Sequence, residues 1–591
     1  MTETADGLHR LALTACQEGR LAEGMAYARQ ALAIDPGRAR THLLLGMALA
    51  RSDACEEALA SFDRAIAIAP ERADAHGNRA DVLVELRRLA EADASYDRAL
   101  QLAPQSFVNW CNRAALLFEL GRNEEALACY DRALALEPGH VDMLAARGLV
   151  LNALNRCEEA VEALDRALAL APDHYLANRT RGVALLERDR YAEALASFER
   201  VLAQSPDSED ALYNVAFSLV ANERDSEALA IYQRLLAINP RHIEALLGKA
   251  AALQGLTRFA EAVAAYDEVF ALDPKRVDAH VSAATALLSM GDFRRGLTEY
   301  EWRRHASTGN PYVVQPLREP IWLGDGPLQD KTLLIHAEQG MGDVLFAVRY
   351  VPQLAGQGAR IVLQVHAALK ALLSGLAGAT VVVARGEPLP LFDCHCPVMS
   401  LPYAMKTELA ALPAEVPYIH APPERVSHWR ERLPQREGLR VGIVWCGNPA
   451  FKEDRRRSLR LDLVEPILAT ADVFFISLSP GITEQDAAKL PGRANVLHLG
   501  SQLRDFADTA AVIAQLDLVI TSDTSVAHLV GAMGRPVWIM LGFAPDWRFA
   551  HDREQSSWYP TARLFRQSAP GDWPGVIERV RLALAALVPP I

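Results

Sequence analysis

An all-helical repeat array followed by an α/β region is the fold class that this 591-residue sequence predicts, and two observations carry the reading. Proline recurs as Pro36, Pro70, Pro104, Pro138, Pro172, Pro206, Pro240 and Pro274, a constant step of 34 residues. Near residue 306 that step ends, and short apolar runs begin to alternate with helical stretches, the pattern of parallel strands joined by crossover helices.

Other residue types keep the same step. Small residues recur as Gly46, Ala80, Ala114, Gly148, Gly182, Ala216, Ala250 and Ala284, and again as Ala58, Ala92, Ala126, Ala160, Ala194, Ala228, Ala262 and Gly296. Bulky residues follow at Phe62, Tyr96, Tyr130, Leu164, Phe198, Tyr232, Tyr266 and Tyr300. A helical hairpin explains each series. Small residues let two helix axes approach, the bulky residue fills the gap to the neighbouring repeat, and proline stops the second helix with its fixed φ and missing N–H. One hairpin cannot bury its apolar stripe alone, so stacking supplies the core and the array is an α-solenoid. Residues 5–306 hold eight full repeats and a degenerate ninth that ends near Trp302. The period and these positions resemble the tetratricopeptide repeat family.

Composition narrows the function. Half the residues are apolar and 23% are charged, the balance of a soluble globular protein. The net charge of −13 falls almost wholly on the first 306 residues, so nucleic acid is not an expected partner. No run of about 18 apolar residues and no leader pattern is present, so no membrane span is expected. Eight cysteines without framework spacing suit reduced thiols and a cytoplasmic location.

Residues 307–330, with Pro311, Pro316 and Pro320, read as a connecting segment. Strands are expected at Thr332–His336, Arg360–Val365 and Thr380–Ala384, then at Arg440–Trp445, Val473–Leu478, Leu516–Thr521 and Val537–Leu541. Two Rossmann-like lobes, about 331–420 and 421–591, follow, with a ligand cleft at the carboxyl ends of the strands. Three passages are candidate sites. Glu338-Gln339-Gly340-Met341-Gly342-Asp343 makes a glycine-rich turn from strand to helix. Gly340 and Gly342 let backbone approach a ligand, while Asp343 is either a helix cap or a functional acid. After the fourth expected strand, the loop carrying Lys452, Arg455, Arg456 and Arg457 suits a diphosphate, or is a solvated charged loop. The third passage ends a buried strand in Asp523-Thr524-Ser525 and opens a helix carrying His528, an anion site or a packed histidine. Cys394-His395-Cys396 lacks a second ligand pair nearby and reads as structural, so no metal is expected.

Together these passages resemble the heptosyltransferase-like glycosyltransferases of family 9, a GT-B group, from about Lys331 to the end. Pro545-Asp546-Trp547-Arg548 and Trp558-Tyr559-Pro560 add to the likeness. The resemblance implies an inverting, metal-independent sugar transfer that uses a nucleotide sugar as co-substrate and needs no cofactor. It implies Asp343 as general base and Asp523, Thr524 and His528 as donor-phosphate contacts, with Ser525 standing where the family has glycine. Lys452 is the nearest match to a donor-binding lysine, and Arg457 a neighbouring cation. The architecture also looks like the protein O-GlcNAc transferases, whose repeat asparagines hold peptide. On that likeness Asn78, Asn112 and Asn214 would line a groove for a protein or peptide partner, or are simply common at that position. Arg79, Arg113, Arg147 and Arg181 face Asp63, Asp97, Asp131 and Asp165 either across such a groove or as a ladder of ion pairs. The rival functions are a protein O-glycosyltransferase and a non-catalytic scaffold.

Overall fold

A computed structural model of the chain describes residues 4–305, 317–434, 438–447, 457–479, 482, 484–490 and 493–588. The chain divides into two compact units, the first ending at Asn222 and the second beginning at Glu223. The repeat period thus runs past the division, and its last helices share a unit with the α/β region.

In the first unit the helical hairpins run from Ala5–Gln17 and Leu21–Ile34 to Tyr191–Gln204, with Glu209–Ala221 after them. The bulky series packs first on the small residue of its own repeat. A Cβ added to Gly46, Gly148 or Gly182 would stand 2.5–2.6 Å from Phe62, Leu164 or Phe198. The expected contact with the neighbouring repeat also occurs, in the second unit, where a Cβ on Gly248 would stand 2.1 Å from Tyr232.

The turn inside each hairpin hides a further period. Gly19, Asp53, Arg87, Gly121, Asn155, Asp189, Glu223, Thr257 and Gly291, each 34 residues on, all take φ between 57° and 85°. The turn geometry demands a left-handed residue, and only three repeats supply glycine. Thr257 is the most strained occupant, because a β-branched side chain crowds that region. Thr257→Gly is therefore expected to stabilise the second unit by about 1 kcal/mol, the relief of strain exceeding glycine's entropy cost. A lowered denaturation midpoint would contradict this.

In the second unit, Asp225–Ile238, Ile243–Gly255, Phe259–Leu272, Val277–Ser289 and Phe293–Tyr300 continue the helices, the last cut to eight residues. Two sheets follow, whose described strands pair in parallel. The first has β1 (Thr332–His336), β2 (Arg360–Val365), β3 (Ala379–Ala384) and β4 (Cys394–Pro397), ordered β3-β2-β1-β4. The second has β5 (Leu439–Val444), β6 (Val473–Ser477), β7 (Val496–His498), β8 (Leu518–Ser522), β9 (Val537–Leu541) and β10 (Ala562–Arg566), ordered β10-β9-β8-β5-β6-β7. Each sheet winds outward from its first strand in both directions. The strand order therefore reverses between β1 and β4 and between β5 and β8, where ligand crevices form in such sheets. Of the connecting segment, 307–316 lies outside the described residues; its end joins the first sheet, the Trp322 N–H donating to the His395 carbonyl at 2.7 Å.

One apolar core runs through this unit. It takes in Leu288, Phe293, Leu297 and Tyr300 of the last repeat with Ile335, Phe346, Ala527, Trp547 and Trp558 of the α/β region.

Candidate functional site

The turn after β1 leads into the helix Met341–Ala347. Asp343 caps it, its Oδ2 accepting from the Gly340 N–H at 2.9 Å. The capping reading is therefore realised, but it accounts for one oxygen only. Oδ1 accepts from Nη2 of Arg548 at 2.5 Å, and Nη1 of Arg548 donates to Oδ2 of Asp546 at 3.0 Å. The Arg548 guanidinium is buried and lies over the rings of Phe346 and Trp547, 4.8 and 4.9 Å from their centroids.

Gly342 has a steric reason. A Cβ there would stand 3.0 Å from Cδ2 of His528 and 3.5 Å from Cα of Ser525. The turn after β1 thus lies directly against the helix Ser525–Ala532, which follows β8. That helix begins at Thr524 without a side-chain cap; the Ala527 N–H donates to the Thr524 carbonyl at 3.0 Å, and the amides of Ser525 and Val526 open the helix toward an anion. The Thr524 hydroxyl is 3.1 Å from that of Thr521, and the Ser522 hydroxyl is buried without a hydrogen-bond partner. His528 is buried between the two sheets' helices, its Nδ1 2.9 Å from the Tyr559 hydroxyl and its ring stacked on Phe549. Burial, with the Arg548, Arg349 and Arg457 charges adding, holds its pKa well below the ordinary 6.5, so the imidazole is neutral.

Lys452, and with it 448–456, lies outside the described residues. Arg457 is returned to the carboxyl end of β5 by its neighbours: the Gly447 N–H donates to the Ser458 hydroxyl at 2.8 Å and the Leu459 N–H to the Trp445 carbonyl at 2.7 Å. β5 and β8 are adjacent, and Arg457 stands near enough to Asp523 for its charge to act on that carboxyl. Burial raises the Asp523 carboxyl well above its usual range. Asp546 and Asp343 push it the same way, and Arg457 and Arg548 oppose them. Asp343, Asp523, Asp546, Arg457, Arg548 and His528 thus form one electrostatic group. The sequence marked Arg548 only as part of a shared motif; no spacing rule joins it to an acid 205 residues earlier.

A second buried group stands beside the turn. Arg303 is fully buried; its Nη2 donates to Oε1 of Glu338 at 2.8 Å and its Nη1 to Oε1 of Glu301 at 2.7 Å. Burial pushes the Glu338 carboxyl up to about 6 from the ordinary 4.5, although Arg303 opposes it. The folded form therefore holds more protons than the unfolded form between those pH values, and stability falls as pH rises through the window. The loss expected from this group is about 2 kcal/mol, complete above the folded value. Urea denaturation at pH 4.5 and 7 should show Glu338→Gln lacking that share of the pH dependence; equal slopes in both proteins would refute it.

The Cys394-His395-Cys396 strand is buried, with Nδ1 of His395 3.1 Å from Nε2 of His336. Among the described residues no helix is long and apolar enough to cross a membrane. In the array, Arg79, Arg113, Arg147 and Arg181 meet Asp63, Asp97, Asp131 and Asp165 at 2.6–2.9 Å, a ladder of ion pairs between successive repeats. The Asn112 side chain donates to Asp81 at 2.9 Å and that of Asn78 to its own helix at the Asp74 carbonyl at 2.8 Å; Asn214 is half-buried.

Comparison with known proteins bears on the array. Tetratricopeptide repeat families match residues 43–107 and 111–175, 150–213 and 185–253. The N-terminal region is thus made of tetratricopeptide repeats. Protein FlbA of Caulobacter vibrioides is 27% identical over 310 residues, 48% of this chain and 52% of FlbA, so the chain spans about half the length of that relative. Among solved structures, YrrB, described as a TPR protein with an unusual peptide-binding site, is 28% identical. It covers 31% of this chain and 95% of its own at a TM-score of 0.29. A tetratricopeptide repeat protein from Parabacteroides merdae is 20% identical, covering 40% of this chain and 94% of its own at a TM-score of 0.33.

Proposed function

We propose that the region from about residue 331 onward is a GT-B-type glycosyltransferase that uses a nucleotide-sugar donor, and that the tetratricopeptide array recruits a protein or peptide partner. One observation carries the reading. The turn bearing Asp343 follows the strand at one sheet's reversal point, Arg457 and Thr524 stand at the other's, and Gly342 lets the two meet. A two-lobed transferase needs this pairing, with donor on one lobe and base on the other.

In this reading the diphosphate sits in the β5/β8 crevice, against the open amides of the helix Ser525–Ala532, the Thr524 hydroxyl and Arg457. Those groups stabilise the charge that develops on the departing phosphate oxygen. The acceptor hydroxyl attacks the anomeric carbon. The new C–O bond forms as the bond to the diphosphate breaks, the electron pair leaves with the phosphate, and Asp343 takes the hydroxyl proton. Each carboxylate oxygen accepts two hydrogen bonds, so Asp343 retains capacity for the acceptor beside Gly340 and Arg548. Neutral His528, clasped by Tyr559, serves as packing between the lobes.

A thermal-shift screen of nucleoside diphosphates and nucleotide sugars tests this and names the base. One class of nucleotide should raise the melting temperature selectively; no shift with any would favour a scaffold. Calorimetry with the selected nucleotide should then show Arg457→Ala weakening binding by about 1–3 kcal/mol, the loss of one charge-assisted hydrogen bond. Unchanged affinity would remove Arg457 from the site.

A further inference from the structure

The ninth repeat is short, and its bulky position, Tyr300, does something its equivalents do not. The Tyr300 hydroxyl lies 2.8 Å from Nε2 and 3.0 Å from Oε1 of Gln339, the residue before Gly340. Three residues on, Arg303 enters the first sheet's own reversal point. It binds Glu338, which follows β1, and donates to the Ser400 hydroxyl at 2.7 Å in the turn that follows β4. The crevice in which a parallel sheet usually holds a ligand is thus filled by a guanidinium from the repeat array. From the other end of the same helix, Phe293 packs edge-on against Trp547 and, tilted, against Trp558, with centroids 5.9 and 6.0 Å apart. Trp547 precedes Arg548, the partner of Asp343.

We infer that the ninth repeat is a working part of the candidate catalytic centre, with Tyr300 and Arg303 as positioning residues for the turn that carries Asp343. Two hydrogen-bonded side chains from the array fix Glu338 and Gln339, and the turn that begins at Gly340 inherits their position. The array's last helix touches Gln339, just ahead of the Asp343 turn, and Trp547, beside Arg548, without offering a reactive group itself. A slight misplacement of a base lowers turnover while leaving the donor's contacts intact.

The inference rests on the transferase reading for its kinetic consequence, and its structural consequence stands apart from it. The test uses the full-length chain with Tyr300→Phe, which keeps the ring and removes the hydroxyl. Tyr266→Phe is the control: it occupies the same position one repeat earlier, and its hydroxyl donates to Gln254 at 2.5 Å, within the array. Hydrogen exchange should show amides of residues 340–344 opening about tenfold faster in Tyr300→Phe and unchanged in Tyr266→Phe. With the nucleotide sugar chosen by thermal shift, kcat should fall about tenfold in Tyr300→Phe while the donor KM stays within twofold. Unchanged exchange, or equal acceleration in both variants, overturns the positioning role. Faster exchange in Tyr300→Phe alone, in a protein whose wild type has no turnover, upholds the positioning and overturns the transferase reading instead.

Discussion

Asp343→Asn is expected to lower turnover about a hundredfold or more with donor affinity almost unchanged, because it removes the proton acceptor and leaves the proposed diphosphate contacts, Thr524 and Arg457, in place. The environment of Asp343 makes the substitution less silent than a cap exchange. Asn caps a helix about as well as Asp, but here the two oxygens serve two donors, Gly340 N–H and Arg548. An amide has one oxygen, so its nitrogen must face one of those donors. Arg548→Lys supplies the control, since it keeps the charge and loosens the forked contact. If Asp343 is only a latch on Arg548, both variants should lose activity alike. If it is the base, Arg548→Lys should retain far more activity than Asp343→Asn. Activity kept within a few-fold by Asp343→Asn would refute the assignment.

Arg303→Ala should destabilise the second unit by about 3–5 kcal/mol, the cost of leaving a buried charge unpaired. The guanidinium has no exposure, and its removal takes from buried Glu338 the cation it is paired with, while buried Glu301 keeps Arg304 at 2.9 Å. Denaturant titration of the full chain should show the loss in the transition that reports the α/β region. The triple change Arg303→Met, Glu301→Gln and Glu338→Gln should recover much of it, since uncharged groups of similar shape pay no charge-burial penalty. A loss below 1 kcal/mol in the single variant would mean that water reaches the group.

The repeat array was readable because its signals are local and periodic. A 34-residue step in small, bulky and proline positions survives any error at a single residue, and the strands β1, β2 and β9 begin and end where the apolar runs do. The three strands missed lacked such a run. β4 is Cys-His-Cys-Pro, β7 spans only Val496–His498, and the apolar pair of β10, Leu564-Phe565, lies between Arg563 and Arg566. Each is a strand because its neighbours bury it or pair with it. The left-handed turn residues were hidden for the opposite reason: the backbone repeats while Asp53, Arg87, Asn155 and Thr257 share no chemistry. At the candidate site, Asp343 and Thr524 were legible from the turns that bear them. Arg548 and Arg303 were not, because a long-range ion pair leaves no pattern in either segment. The array's lower boundary was invisible too: nothing in the period marks that the last helices bury Phe293 and Tyr300 against the α/β region.

A nucleotide sugar is expected to bind where the strand order reverses between β5 and β8. The most direct measurement is a crystal structure of the full-length chain with the nucleoside diphosphate that gives the largest thermal shift. The expected result is the diphosphate on the amides that open the helix Ser525–Ala532, within hydrogen-bond distance of the Thr524 hydroxyl and the Arg457 guanidinium. Asp343 should face the vacant sugar position from the other lobe. A nucleotide bound elsewhere, with the β5/β8 crevice empty, would contradict the claim.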